Sequence, residues 1–226
     1  MAEKKLPDGR KLVYVDGFKI RNFIDDDFGV IHERSQDINK FVPKFYIPEN
    51  EIWLDRRYAD ELEFLYKAMV FEPPMPIASS LERRAAIKKE LCLPGPVPKV
   101  AVEKKKDGEL AIVMVDGKNV RAYIDPEFIL GGHEFVYDYV PNGEIWIDVK
   151  TDPSEIPYIL LHEKVERELM VKGKSYDVAH EYATISDKEE RRAKAEAKYP
   201  GDADYPWYGK ENGDIISNII IDNNHG

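Results

Sequence analysis

Cysteine is almost missing: Cys92 stands alone in 226 residues, so no intramolecular disulfide can form, which suits a reducing compartment. With no His-Asp or His-Asn partner near it in sequence, Cys92 reads as a buried thiol and not a nucleophile. Long apolar runs are absent, and the opening MAEKKLPDGRK lacks the hydrophobic stretch of a signal peptide, so the expectation is a cytoplasmic protein with no membrane contact. No Walker loop, dinucleotide-binding glycine fingerprint or GxSxG elbow occurs, which removes the classes built on those motifs. Basic charge is the minority: 33 Lys and Arg against 43 Asp and Glu leave a net charge of -10. Such a balance repels phosphate backbones and sets nucleic acid aside as a partner.

What remains has the composition of a soluble globular chain, 43% hydrophobic and 34% charged, long enough for two small cores. It also says the same thing twice. LVYVDGFKIRNFIDDDF (12–28) matches IVMVDGKNVRAYIDPEF (112–128), and IPENEIWLD (47–55) matches VPNGEIWID (140–148). A self-match at this spacing predicts a tandem duplication. The first repeat spans 1–92, a proline-rich linker 93–99, the second repeat 100–199 and a C-terminal tail 200–226.

Each repeat reads as α+β: a small antiparallel sheet followed by two antiparallel helices. Asp16-Gly17 and Asp116-Gly117 between β-forming runs predict hairpin turns. Residues 134–140 alternate apolar and polar, Asn142-Gly143 supplies another turn, and EIWID (144–148) returns as a strand. Asp152-Pro153-Ser154-Glu155 predicts a helix start, Gly173 its end, and Ser175 the cap of a second helix reaching to about residue 199. In the first repeat a helix over 59–72 stops at Pro73-Pro74, and Ser79 with Glu82 makes a capping box for 79–91. The tail, with IISNIIIDNN (215–224), is a candidate last strand. Trp53 and Trp146 read as core or sheet-face aromatics.

The chemistry concentrates in LLHEKVERELMVKGKSYDVAH (160–180). On a helix over 155–171, His162 and Glu166 stand one turn apart on one face, and His180 on a returning helix lies level with Glu166. Two imidazoles and one carboxylate can hold Zn2+ with a fourth position open for water, and Glu163 stands beside them as a general base. His133, in GGHEF (131–135), is a possible substrate contact or extra ligand, and Tyr176 a possible contact or oxyanion stabiliser. His32-Glu33 reads as the counterpart of His133-Glu134. Aligning the helices puts Ala68 and Met69 opposite His162 and Glu163, so the first repeat lacks these ligands.

His162 and Glu163 begin a motif that resembles the zincin metallopeptidases of the gluzincin type, over roughly residues 109–198. Those proteins carry HExxH on one helix and a glutamate ligand on the next, behind a small sheet whose edge strand receives substrate. Here the pattern departs: Glu166 stands where the second histidine belongs, and His180 where the glutamate belongs. The resemblance implies a zinc-dependent peptidase acting on a peptide or protein. The fuller pattern, HExxERELM…YDVAH, is also similar to small uncharacterised proteins of tailed bacteriophages, which implies no activity and would allow a place in a virion.

The competing reading is an ordinary amphipathic helix. A Glu163–Arg167 pair at i,i+4 would explain that glutamate without catalysis, and His133 would be a surface histidine. The chain would then be a non-catalytic tandem-repeat structural or interaction protein, such as a phage virion or assembly component, binding protein partners. Oligomeric state is not written in the sequence.

Overall fold

A computed structural model describes residues 4–23, 28–33, 47–72 and 80–194. The fold is mixed α and β, with six α-helices and two small sheets among the described residues. The chain divides into two compact units, one of Met1–Asp60 with Lys188–Gly226, the other of Glu61–Asp187.

In the first unit, β1 (Lys11–Val15), α1 (Gly17–Phe23), β2 (Ile31–His32) and β3 (Glu51–Asp55) follow in order. The sheet order is β1-β3-β2, with β1 parallel and β2 antiparallel to β3. Val13, Val15, Ile20, Phe28, Ile47 and Trp53 close its core. A 3-10 helix (Arg56–Glu61) follows β3 in sequence.

The second unit holds α2 (Leu62–Met69), α3 (Ser80–Leu91), β4 (Ala101–Asp107), β5 (Leu110–Val115), α4 (Gly117–Tyr123), β6 (Gly131–His133), β7 (Glu144–Asp148) and α5 (Ile156–Val171). Most of α6 (Tyr176–Ala193) belongs to it as well. The sheet order is β4-β5-β7-β6: β5 and β7 run parallel, β4 and β6 are antiparallel to their neighbours, and β6 forms an edge. Helix α5 packs on β6 and β7.

The same contacts recur in the two units. Trp53 Nε1 donates to Glu51 at 2.9 Å and Trp146 Nε1 to Glu144 at 2.8 Å. Arg21 Nη1 donates to the Phe28 carbonyl at 2.9 Å and Arg121 Nη1 to the Phe128 carbonyl at 3.1 Å. Buried ion pairs match too, Arg21 with Asp55 at 3.3 Å and Arg121 with Asp148 at 2.8 Å. A Cβ on Gly17 would collide with the Asp55 carboxylate, and one on Gly117 with that of Asp148. That close approach explains the repeated Val-Asp-Gly.

Several expectations need correction. Neither Asp-Gly pair makes a hairpin: each aspartate precedes a short helix, and Asp116 Oδ1 accepts from Asn119 N at 3.1 Å as an N-cap. Because α1 and α4 carry the chain across, the flanking strands run parallel, so the sheets are mixed and not antiparallel. Residues 134–140 form turns instead of a strand, since Tyr137 folds its ring against Gly132 and Glu134 reaches Arg167. His32 is not the counterpart of His133. It pairs with Trp53, whereas Gly132 takes that place opposite Trp146, and a one-residue shift turns a strand side chain to the other face. From the aligned strand ends, Asp55 with Asp148, Met69 and Val70 fall opposite His162 and Glu163, one residue from the sequence alignment and equally unable to bind a cation.

Other expectations have direct counterparts in the structure. EIWID is β7, α5 begins after Asp152 accepts from Ser154 N at 2.8 Å, and Gly173 ends it with φ of +84°. Residues 93–99 hold no helix or strand but lie within the second unit and do not separate the two. The packing places α2 and α3, read above as first-repeat helices, in the second unit. The Pro73-Pro74 stop, Ser79 and the tail from residue 200 lie outside the described residues.

Candidate metal centre

Helix α5 owes its position to the buried end of β7. There Arg121 joins Asp148 and also donates twice to Glu61, at 2.8 and 2.9 Å, while Lys150 Nζ reaches Glu61 at 2.7 Å. One turn into α5, Ile159 packs against Gly131 of β6. The next turns therefore carry His162, Glu163 and Glu166 across the sheet edge, where α6 brings His180 to meet them.

The meeting is close. His180 Nδ1 lies 2.9 Å from Glu166 Oε2 and 3.1 Å from His162 Nε2, and His162 Nε2 lies 3.7 Å from Glu166 Oε2. The two rings are 4.9 Å apart at 68°. Nitrogen and oxygen ligands at ~2.0–2.1 Å from a tetrahedral zinc sit about 3.3 Å from one another. The observed triangle brackets that spacing, and these three residues could hold a metal ion. Glu166 is the buried corner and His180 the solvent-facing one, its side chain 40% exposed, so water and a ligand can approach from that side. Tyr176 stacks on the His180 ring at 5.4 Å and is 45% exposed.

Electrostatics separates the two glutamates. For Glu166, burial resists ionisation, but the close approach of the His133, His162 and His180 imidazoles outweighs it and holds the carboxyl well below the ordinary range. Glu163 is pushed well above that range, first by burial and then by the charge of Glu166. Arg167, its expected partner, instead grips Glu134 through contacts of 2.6 and 3.0 Å. Among the described residues Glu163 has no hydrogen bond.

His133 is fully buried, so it faces no solvent from which to touch a substrate. Its Nε2 lies 3.1 Å from Glu166 Oε1, near enough to bond but out of line. The glycines before it are not a flexible loop: Gly132 gives room to the Tyr137 ring and Gly131 to Ile159. Sequence reading missed the Arg167–Glu134 clamp and the Glu61–Arg121 pair, because neither partner is a helical neighbour. Cys92 is half-buried, and burial, followed by Asp125, raises its thiol pKa. No helix among the described residues is long and apolar enough to cross a membrane.

Set beside protein-family models, curated proteins and solved structures, the chain matches none of them.

Proposed function

We propose that the second unit is a metal-dependent hydrolase, most similar to a zincin peptidase, in which His162 Nε2, Glu166 Oε2 and His180 Nδ1 hold Zn2+. The observation that carries this reading is the pairing of a ligand triangle of metal-site dimensions with a buried carboxyl, Glu163, that has no hydrogen-bond partner among the described residues.

Zinc, when bound, supplies the Lewis acidity that brings the pKa of a water near 7. The protein's own part is to orient and to move protons. Burial, and then the charge of Glu166, disfavour the ionised form of Glu163, and a nearby divalent charge favours that proton-accepting form. So charged, it takes the proton of the attacking water and passes it to the leaving amine. Tyr176, beside His180 at the open side, is placed to donate to a developing oxyanion. The departure from HExxH keeps the ligand types and exchanges their helices, and the antiparallel edge strand β6 beside α5 matches the arrangement the zincin resemblance implies. A peptide or protein is then the substrate.

The two units are, in this reading, a duplicated module of which the first keeps the scaffold without the site. A second reading takes that observation further: the shared ion pairs and tryptophan bonds would make the whole chain a tandem scaffold for protein partners, in a virion or its assembly. Metal analysis of protein purified without added zinc, with Glu163→Gln alongside, separates the two. The enzyme reading expects about one zinc per chain in both proteins and a loss of ~10²–10⁴-fold in peptide hydrolysis for the variant. No metal in either protein and no activity to lose would leave the scaffold.

A further inference from the structure

Glu166 turns its two oxygens to different partners. Oε2 faces His162 and His180, while Oε1 faces His133, which comes from the edge strand β6 and not from either helix. His133 is held from its other side as well: its Nδ1 accepts the backbone N–H of Phe135 at 3.2 Å. A neutral imidazole has a single N–H, so with Nδ1 accepting, the proton resides on Nε2, the nitrogen 3.1 Å from Glu166 Oε1.

This proton decides between two uses of the group. His133, Glu163 and Glu166 bring ligand atoms within 4.8 Å of one another and have the composition of a second cation site sharing Glu166. A nitrogen that carries a proton has no lone pair to give, so His133 is not a ligand there while Phe135 holds its ring. Its Nε2 is buried and has no aligned hydrogen bond among the described residues, and Glu166 Oε1 is the acceptor it faces.

Building on the metal site described above, we propose that His133 is a positioning residue: its Nε2–H fixes Oε1 of Glu166 so that Oε2 alone is presented to the cation. A carboxylate tethered in this way neither rotates nor spreads both oxygens over the ion, which keeps one coordination position for water. The restraint also links the sheet edge to the site. β6 is set by its pairing with β7, and the ring passes that register on to a ligand of α5.

The test combines zinc affinity, measured by competition with a chromophoric chelator, with NMR of the histidine side-chain nitrogens in the full-length chain. His133→Leu removes the donor at similar bulk and is expected to weaken zinc binding by ~10–100-fold, as loss of an outer partner does. His133→Gln, whose amide N–H can reach the place of Nε2, is expected to restore most of that affinity. In the wild-type chain the His133 proton is expected on Nε2 with and without zinc. Equal zinc binding by wild type and His133→Leu would overturn the role of His133 alone, and so would a spectrum with the proton on Nδ1. Absence of zinc binding by the wild type would instead end the metal reading on which this one rests. Should His133→Leu fail to fold, the tautomer in the wild-type chain decides: a proton on Nε2 supports the tether, and a proton on Nδ1 overturns it.

Discussion

The two units share a skeleton and differ in what hangs from it. Both carry a strand, a short helix preceded by aspartate, an arginine reaching back to the aspartate that ends the last strand, and a tryptophan bonded to the glutamate two residues before it. After that last strand they part. In sequence, β3 leads into a 3-10 helix and the eight residues of α2, which belong to the second unit, while β7 leads into the sixteen residues of α5, from which His162 and Glu166 meet His180. A single chain thus contains its own control: residues that recur answer the needs of the skeleton, and those that occur once are the candidates for chemistry. His162, Glu163, Glu166 and His180 all fall in the second class.

The comparison can be broken at the skeleton first. Arg121→Ala takes the guanidinium away from two buried carboxylates, Glu61 and Asp148, and is expected to destabilise the protein by about 3–5 kcal/mol in chemical denaturation. Arg21→Ala takes it away from Asp55, which keeps Arg57 at 3.7 Å, and is expected to fall at or below the lower end of that range. Equal and negligible losses would mean that the recurring pairs are not what holds either unit.

Crowding gives a smaller effect. Gly132→Ala drives a methyl into the Tyr137 ring and, by overpacking, is expected to lower stability by ~1–3 kcal/mol. His32 occupies the matching register place in the first unit, so His32→Ala meets no such collision. A Gly132→Ala protein as stable as wild type would remove the close-packing account of that loop.

The smallest effect depends on pH. The Glu163 pKa is raised in the folded state by burial and by Glu166, so the neutral form is the one the fold accommodates. The associated stability is fully present below the unfolded value near 4.3 and is lost as pH rises through the folded value. Glu163→Gln has no charge to gain. In metal-free protein its Tm should equal that of wild type near pH 4 and exceed it increasingly toward neutral and alkaline pH, by roughly 2–4 °C for each kcal/mol. A constant offset at all pH values would mean that ionisation of Glu163 is not the difference.

Much of this was readable beforehand where the cause is local. EIWID alternates between turn residues, α5 has its start and stop residues, and the one-turn spacing of His162 and Glu166 follows from helix geometry alone. The level of His180 could be counted outward from the turn at Gly173. What could not be read depends on partners distant in sequence. Asp-Gly after a β-forming run suits a tight turn as well as a capped helix, and the choice is made by Arg121 reaching Asp148 across 27 residues. Residues 134–140 alternate like a strand, yet Glu134 is claimed by Arg167 and Tyr137 by the space above Gly132. The i,i+4 rule assigned Arg167 to Glu163, and a partner from the β6–β7 connection displaced it. That displacement leaves Glu163 without the cation its helix offered, and no pattern within the helix announces it.

Zinc K-edge X-ray absorption of the loaded wild-type chain addresses the ligand triangle most directly. Two imidazole nitrogens and oxygen neighbours at ~2.0–2.1 Å are the predicted first coordination sphere, with one imidazole lost in His180→Ala. A sphere of oxygens with no imidazole scattering, unchanged by that substitution, would contradict it.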